Sequence, residues 1–178
     1  QKSMDEIESD YTSNVRNTIR KASKLVSLHE NDMDINEFYV VNQLSFTRQK
    51  KEIPYSLDFV KRIYEAGKAN DACKILSAVD NEGHIHSVAL LIWDERSVYY
   101  LLNGTNPEYK SSQANYFLIH EGIKFAKSKG LLFDFEGSVI RPIERAFLEF
   151  GGEPKPYFRI YKTFNRELLR KEQEAEAA

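Results

Sequence analysis

The sequence predicts an α+β fold, in which helices flank a mixed sheet of one antiparallel meander and one parallel strand pair, with further helices at the N-terminus. Two patterns predict this fold. Three short β-type segments are joined by tight turns at residues 81–83 and 94–96, which is typical of an antiparallel meander. A long helical segment then separates the third strand from a fourth, and such a crossover makes the two strands parallel and right-handed.

Apolar residues at helical spacing predict three helices before the sheet. Asp34 caps the second of them and Pro54 precedes the third, whereas Ser13 or Asn14 caps the first. The expected helices run over residues 13–27, 35 to about 49, and 55–68.

The predicted sheet follows in the order β-β-β-α-β-α-β. Gly130 ends its long helix and Gly151 ends the shorter one. We expect a domain over residues 13–164, after an N-terminal extension of residues 1–12 and before a charged tail of residues 165–178. The expected strands span residues 74–80, 84–93, 98–104, 131–136 and 157–164, and the helices span residues 112–129 and about 142–150.

Composition narrows the class of protein. The 178 residues carry a net charge of only −2, which disfavours a dedicated nucleic-acid binder, so we expect no DNA partner and disfavour tRNA. The single cysteine, Cys73, excludes an internal disulfide framework and fits a reducing compartment. No apolar run approaches the roughly 20 residues that a membrane span needs, and no signal-peptide pattern opens the chain. We therefore expect a cytoplasmic protein without a transmembrane segment.

Four segments together resemble a known family. Residues 133–138 read Phe-Asp-Phe-Glu-Gly-Ser at the end of the fourth strand, and residues 144–152 end a helix in Phe-Gly-Gly. Residues 156–160 read Pro-Tyr-Phe-Arg-Ile, and residues 14–22 contain Arg-x-x-Ile-Arg-Lys-Ala. These segments resemble the GNAT superfamily of acyltransferases and, within it, the bacterial-type, FemAB-like branch that acts on the cell wall. The resemblance covers roughly residues 13–162.

The resemblance implies an N-acyltransferase that moves an acyl group from acetyl-CoA or another acyl-CoA to an amine, without a metal. The acceptor is then a small-molecule amine or a peptidoglycan precursor. One alternative is a Fem-type peptidoglycan aminoacyltransferase that uses aminoacyl-tRNA, although no long helical insertion is visible. The other is a GNAT domain that binds a ligand without catalysis, because residues 106–112 stand where the superfamily has its glycine-rich pyrophosphate loop.

The predicted donor-binding residues lie at the end of the third strand and the start of the long helix. Parallel strands that part at their ends can admit an extended donor along the exposed backbone, and the free N–H groups of a helix start favour phosphates. Alternatively, Ser111 or Ser112 serves only as a helix cap. The candidates are Asn103, Gly104, Ser111, Ser112, Gln113 and Asn115.

Two carboxylates mark the fourth strand. Asp134 and Glu136 alternate along it and should share one face, and two carboxylates on a buried strand are costly unless they are used or paired. We expect Glu136 to accept the amine proton, directly or through water. The alternative is a structural ion pair of Glu136 with Arg141 or Arg145. Asp134 and Tyr157 complete the set of candidate catalytic residues.

The candidate substrate-binding residues are mostly cationic. Arg16, Arg20 and Lys24 recur on one face of the first helix, where they either meet an anionic substrate or tRNA phosphates or form a solvated helix face. Arg16 and Arg20 are joined as candidates by Ser138 and Arg141, which follow the fourth strand.

The remaining chemistry-bearing residues are interpreted as structural. His84 and His86 lack accompanying metal ligands, so we expect exposed strand residues and no metal site. Cys73 has no placed base and is interpreted in the same way.

In Fem-type proteins the helix that resembles residues 14–22 opens the second, catalytic half. We therefore expect an upstream second GNAT-like domain, or a homodimer that covers the same surface.

Overall fold

The computed structural model describes residues 2–48, 50–137, 140–156, 160, 167 and 170. Five strands form one sheet in the order β1-β2-β3-β4-β5; the first four are antiparallel to their neighbours, and β4 and β5 are parallel. The predicted α+β class with its mixed sheet is therefore confirmed. The strands are β1 (Ser27–Glu30), β2 (Cys73–Val79), β3 (Ile85–Trp93), β4 (Ser97–Thr105) and β5 (Leu132–Asp134), and the helices are α1 (Met4–Asp10), α2 (Ser13–Ala22), α3 (Ile35–Thr47), α4 (Leu57–Ala69), α5 (Ala114–Ser128) and α6 (Arg141–Glu149), with a 3₁₀ helix at Pro107–Ser112.

The sequence missed β1, and the predicted first helix was too long. Helix α2 begins after Thr12, which caps it in place of Ser13 or Asn14, and ends at Ala22. Ser27 opens β1, which pairs antiparallel with the end of β2. Only Leu28 of β1 is partly buried, so the sequence of this strand shows no apolar alternation. Its extended conformation is determined by pairing with β2.

Helix α1 lies within residues 1–12, which the sequence presented as a polar extension. Ser3 and Glu6 form a reciprocal capping box at its start, and Met4 and Ile7 pack against the core. The Ser-x-x-Glu spacing was the signal that predicts this helix. The predicted closing strand over residues 157–164 lies outside the described residues, apart from Ile160.

The sheet separates two apolar cores because its side chains alternate between the faces. On β2, Leu76 and Ala78 join the core beneath α2 and α5, whereas Ile75 joins the core beneath α3 and α4. Helix α5 crosses back over the first core and delivers the chain to β5, which explains the parallel pairing. A β-carbon at Gly122 of α5 would lie 2.8 Å from the Phe133 ring, so the glycine allows the helix to pack closely on this ring.

Helix α3 lies directly against β4. A β-carbon built on Gly104 would lie 2.5 Å from Cα of Asn42 and 2.7 Å from the carbonyl oxygen of Val41. Only a residue without a side chain allows the backbone of α3 to approach the strand so closely.

We predict that Gly104→Ala lowers the free energy of unfolding by about 1–3 kcal/mol, because the added methyl group meets backbone atoms that cannot rotate away. Urea denaturation measures this difference. Asn103→Ala, at the exposed neighbouring position, is the control and should change the stability by less than about 0.5 kcal/mol. A Gly104→Ala protein as stable as the wild type would contradict the close approach of α3 to β4.

Candidate active site

The parallel strand pair parts soon after it forms. Ser97, Val98 and Tyr99 of β4 pair with Leu132, Phe133 and Asp134 of β5. Strand β4 then continues through residues 100–105, which pair with no residue of β5 in the described part of the chain. We call residues 100–105 the open edge. The carboxyl ends of parallel strands are where α/β proteins collect their binding sites.

A β-bulge lies within the open edge. Leu91 of β3 faces Tyr100 and Leu90 faces Leu102, so Leu101 is an extra residue on β4. A bulge of this kind changes the side to which the following backbone groups point.

Polar side chains of α3 bind the backbone beyond this bulge. The amide nitrogen of Asn42 donates to the carbonyl oxygen of Asn103 at 2.5 Å, and the Ser45 hydroxyl accepts the N–H of Thr105 at 2.9 Å. Asn42 is itself buried, and its amide oxygen accepts the Tyr55 hydroxyl proton at 2.9 Å. Helix α3 thus satisfies part of the edge that β5 leaves unpaired.

The sequence predicted Asn103 and Gly104 as the donor edge but missed the α3 residues that contact them. The carbonyl of Asn103 is already bonded, and Gly104 is covered by α3, whereas the Asn103 side chain is exposed. The sequence did carry a signal for these contacts. Asn42 and Ser45 lie three residues apart on the same helix as the apolar Val41, and polar residues on an apolar helix face need buried partners.

A 3₁₀ helix, Pro107–Ser112, connects β4 to α5, so the long helix begins at Ala114 and not at the predicted residue 112. The Ser112 hydroxyl is buried, donates to the carbonyl of Tyr109 at 2.8 Å and lies 3.4 Å from the N–H of Ala114. The N-cap residue of α5 is Gln113 and neither Ser111 nor Ser112, so Ser112 serves as a local hydrogen-bonding partner before the helix.

Ser111 and Gln113 are exposed at the start of α5, and Asn115 is half-buried there. Gln113 has a φ of 52° and makes no side-chain cap, so its amide is not used by the helix. A non-glycine residue in the left-handed region is uncommon and marks a position that its surroundings determine.

The two carboxylates flank the end of β5. Phe133 and Phe135 pack edge to face against the core with ring centroids 5.0 Å apart, and Asp134, the last residue of β5, is exposed between them. The expectation that this strand is buried was wrong, because Leu132 is 68% exposed and Asp134 is exposed.

Glu136 leaves the strand in the left-handed region with a φ of 62°, and its N–H donates to the Asp134 carboxylate at 2.8 Å. Although the residue is exposed as a whole, partial withdrawal of its carboxyl from water raises the pKa of Glu136, and the charge of Asp134 raises it further. A raised pKa brings a carboxylate closer to the range of a general base. Within the described residues no ion pair joins Glu136 to an arginine, and Arg145 pairs with Glu149 at 3.1 Å.

Comparison with known proteins identifies the family. Residues 9–159 match the family described as the acetyltransferase (GNAT) domain. The chain belongs to this GNAT family. No curated protein matches the sequence.

Solved structures support the same fold. FemX aligns with a TM-score of 0.64 at 14% identity, over 75% of this chain and 50% of the FemX chain. A predicted acetyltransferase from Clostridium acetobutylicum, solved with acetyl-CoA, aligns with a TM-score of 0.57 at 13% identity, over 78% of this chain and 96% of that one. The aminoglycoside N-acetyltransferase AAC(6')-Iy in complex with CoA aligns with a TM-score of 0.56 at 13% identity, over 79% of this chain and 97% of the AAC(6')-Iy chain.

The three arginines of this GNAT chain that were predicted to bind substrate differ from one another in their contacts. Arg16 donates to the carbonyls of Glu8 and Ser9, and of Tyr11, so it caps the C-terminal end of α1. Arg20 is exposed and donates to the side chain of Asn17 at 3.1 Å. Arg141 is exposed in the first turn of α6, and Ser138 and Tyr157 lie outside the described residues.

The interpretation of His84 and His86 as exposed residues was wrong for His86, which is buried. Both imidazoles pair with Asp80 at 3.1 Å. The described residues contain no cluster of three or more His, Cys, Asp or Glu side chains arranged to hold a metal ion. Among the helices that the structure describes, none is long and apolar enough to span a bilayer.

Replacing Glu136 by Gln tests whether its carboxylate is a structural brace. The wild-type carboxyl has a folded-state pKa above its ordinary value of 4.5, so the wild type loses stability as the pH rises from about 4.5 through the raised pKa. Glutamine carries no such penalty. We predict that Glu136→Gln is at least as stable as the wild type at pH 7, and that the difference vanishes below pH 4.5. Thermal unfolding at a series of pH values measures this.

Glu95→Gln, in the exposed turn between β3 and β4, is the matched control for the loss of a surface charge. If Glu136→Gln alone unfolded more readily at neutral pH, the carboxylate would be a brace.

Proposed function

We propose that this chain is an N-acyltransferase that transfers an acyl group from acyl-CoA to an amine. One observation carries the proposal: β4 and β5 run parallel, pair over three positions and then part, beside the N-terminus of α5. An extended donor fits along a strand edge whose neighbouring strand has departed. Membership of the GNAT family, together with relatives solved with acetyl-CoA or CoA, supports a CoA thioester as the donor.

The donor phosphates are proposed to lie at residues 111–115, which we call the donor segment. The N-terminus of a long helix favours anions because its N–H groups are unpaired and its dipole is positive there. Ser111, Gln113 and Asn115 would add hydroxyl and amide donors, whereas Ser112 is already bonded within the chain. Without a glycine-rich loop fewer backbone N–H groups converge on the phosphates, so we expect modest donor affinity.

The proposed chemistry needs a base and an aligned thioester. The neutral amine attacks the thioester carbon, Glu136 accepts the amine proton directly or through water, and the thiolate of CoA leaves as the amide forms. Asp134 holds the backbone of Glu136, and its charge helps to raise the pKa of that carboxyl. General base catalysis of this kind contributes about 10²–10⁴-fold. Tyr157 stays a predicted catalytic residue.

A Fem-type activity is the second candidate. The alignment with FemX at a TM-score of 0.64 favours it, and this chain spans half the length of the FemX chain. In that case the donor would be an aminoacyl-tRNA, the acceptor a peptidoglycan precursor, and an upstream domain would complete the site. The identity of the donor therefore separates the two candidates.

Calorimetric titration with acetyl-CoA, longer acyl-CoAs and free CoA tests the proposal. We predict saturable binding of acyl-CoA and a loss of affinity of about tenfold in Gln113→Glu, because a new carboxylate would face the donor phosphates. Glu95→Gln should bind as the wild type does. If no CoA compound bound, the acyl-CoA proposal would be wrong, and an aminoacyl-tRNA donor or a non-catalytic ligand-binding role would replace it.

A further inference from the structure

A group of side chains that the proposed chemistry does not use joins the β2–β3 hairpin to the 3₁₀ helix. Its members are Asp80, His84, His86 and Tyr109, which we call the ring cluster. Ala78 of β2 faces Ser87 and Val79 faces Ile85, so His86 is an extra residue on β3. This second bulge interrupts the regular alternation of side chains along β3 and so changes the direction of the His86 imidazole.

Asp80 fixes both imidazoles. Its carboxylate accepts the N–H groups of Glu82 and His84 at 2.9 Å, and both imidazole rings at 3.1 Å. Burial by itself would raise the pKa of Asp80, but these four hydrogen bonds outweigh burial and hold that pKa well below its usual range. An ionised carboxylate only accepts, so His84 donates through Nδ1 and His86 through Nε2.

The buried position of His86 costs free energy. The residue is 6% exposed, and its buried Nδ1 atom has no hydrogen-bond partner among the residues that the structure describes. A buried polar atom without a partner costs free energy, and such atoms persist where the surrounding structure determines the position of the ring.

Tyr109 of the 3₁₀ helix lies flat on these imidazoles. Its ring centroid is 4.4 Å from that of His86 with an interplanar angle of 8°, and 5.2 Å from that of His84 with an angle of 23°. The N–H of Asn106 also donates to the carbonyl of His86 at 2.9 Å. The 3₁₀ helix is therefore tied to the hairpin by a ring stack and by a backbone hydrogen bond.

The same contacts continue to the start of α5. The carbonyl of Tyr109 accepts the Ser112 hydroxyl, and that hydroxyl oxygen faces the N–H of Ala114. A line of contacts thus runs from Asp80 through the stacked rings and Ser112 to the first residue of α5. The 3₁₀ helix is short, and these contacts hold it against the β2–β3 hairpin and the start of α5.

We propose that the ring cluster positions the donor segment, and that Tyr109 and His86 are positioning residues for donor binding. The proposal rests on the proposed function, because it takes residues 111–115 to contact the donor. Where other proteins wrap phosphates with a glycine-rich loop, this chain presents a short helix, and a stack on the hairpin sets its angle. Tyr109 and His86 themselves need not touch the donor.

Tyr109→Leu tests the proposal, with Tyr109→Phe as the conservative variant that keeps the ring. Tyr64→Leu on α4 is the matched control, because this tyrosine is also half-buried but packs against the core beneath α3 and α4. Acetyl-CoA affinity is measured by calorimetry and amide hydrogen exchange by mass spectrometry on the same samples. We expect Tyr109→Leu to weaken acetyl-CoA binding about tenfold, roughly the effect of one lost aromatic stack, and to accelerate exchange over residues 106–116.

Tyr109→Phe should restore both values, and Tyr64→Leu should change neither, even if it lowers the melting temperature as much as Tyr109→Leu does. If Tyr109→Leu bound acetyl-CoA as tightly as the wild type, the positioning role would be wrong while the proposed function stood. Unchanged exchange over residues 106–116 would overturn the positioning role in the same way. If the wild type bound no acetyl-CoA, both proposals would fail together.

Discussion

Backbone groups on the edge of a strand must find partners, and this requirement shapes the surroundings of β4. Strand β5 pairs with β4 only as far as Tyr99 and Asp134, and beyond that point no other described strand pairs with this side of β4. Helix α3 supplies part of what is missing through Asn42 and Ser45, and it comes close enough to do so because residue 104 is a glycine. The bulge at Leu101, opposite Leu90 and Leu91, accompanies this change of partner.

The two sides of this opening have a common backbone feature. Gln113 at the start of α5 and Glu136 after β5 are both non-glycine residues with positive φ. Such conformations cost of order 1 kcal/mol or more and persist where the surroundings determine them. The Asp134 carboxylate stabilises the turn at Glu136, and the 3₁₀ helix, tied to the hairpin through Tyr109, precedes Gln113. Gln113 and Glu136, which are candidate donor-binding and catalytic residues, thus each follow directly on an element whose position is held by other contacts.

The local parts of the fold were predictable, and the long-range contacts were not. The meander, the crossover helix and the parallel pair follow from alternation and from one long helical segment, and all of these were confirmed. Strand β1 was missed because four largely exposed residues carry no apolar pattern. Asn42 was missed because its partner, Asn103, is distant in the sequence. His86 was predicted to be exposed because its covering contact, the ring of Tyr109, comes from a distant part of the sequence.

The central claim is that a donor lies along the open edge and at the donor segment. A titration of isotope-labelled protein with CoA, followed by amide chemical shifts, tests it residue by residue. The account predicts that the largest shifts occur at residues 100–105 and 111–115, while β1 at the opposite edge of the sheet stays unchanged. Shifts that are absent from both segments, or that concentrate on β1 and the end of β2, would contradict it.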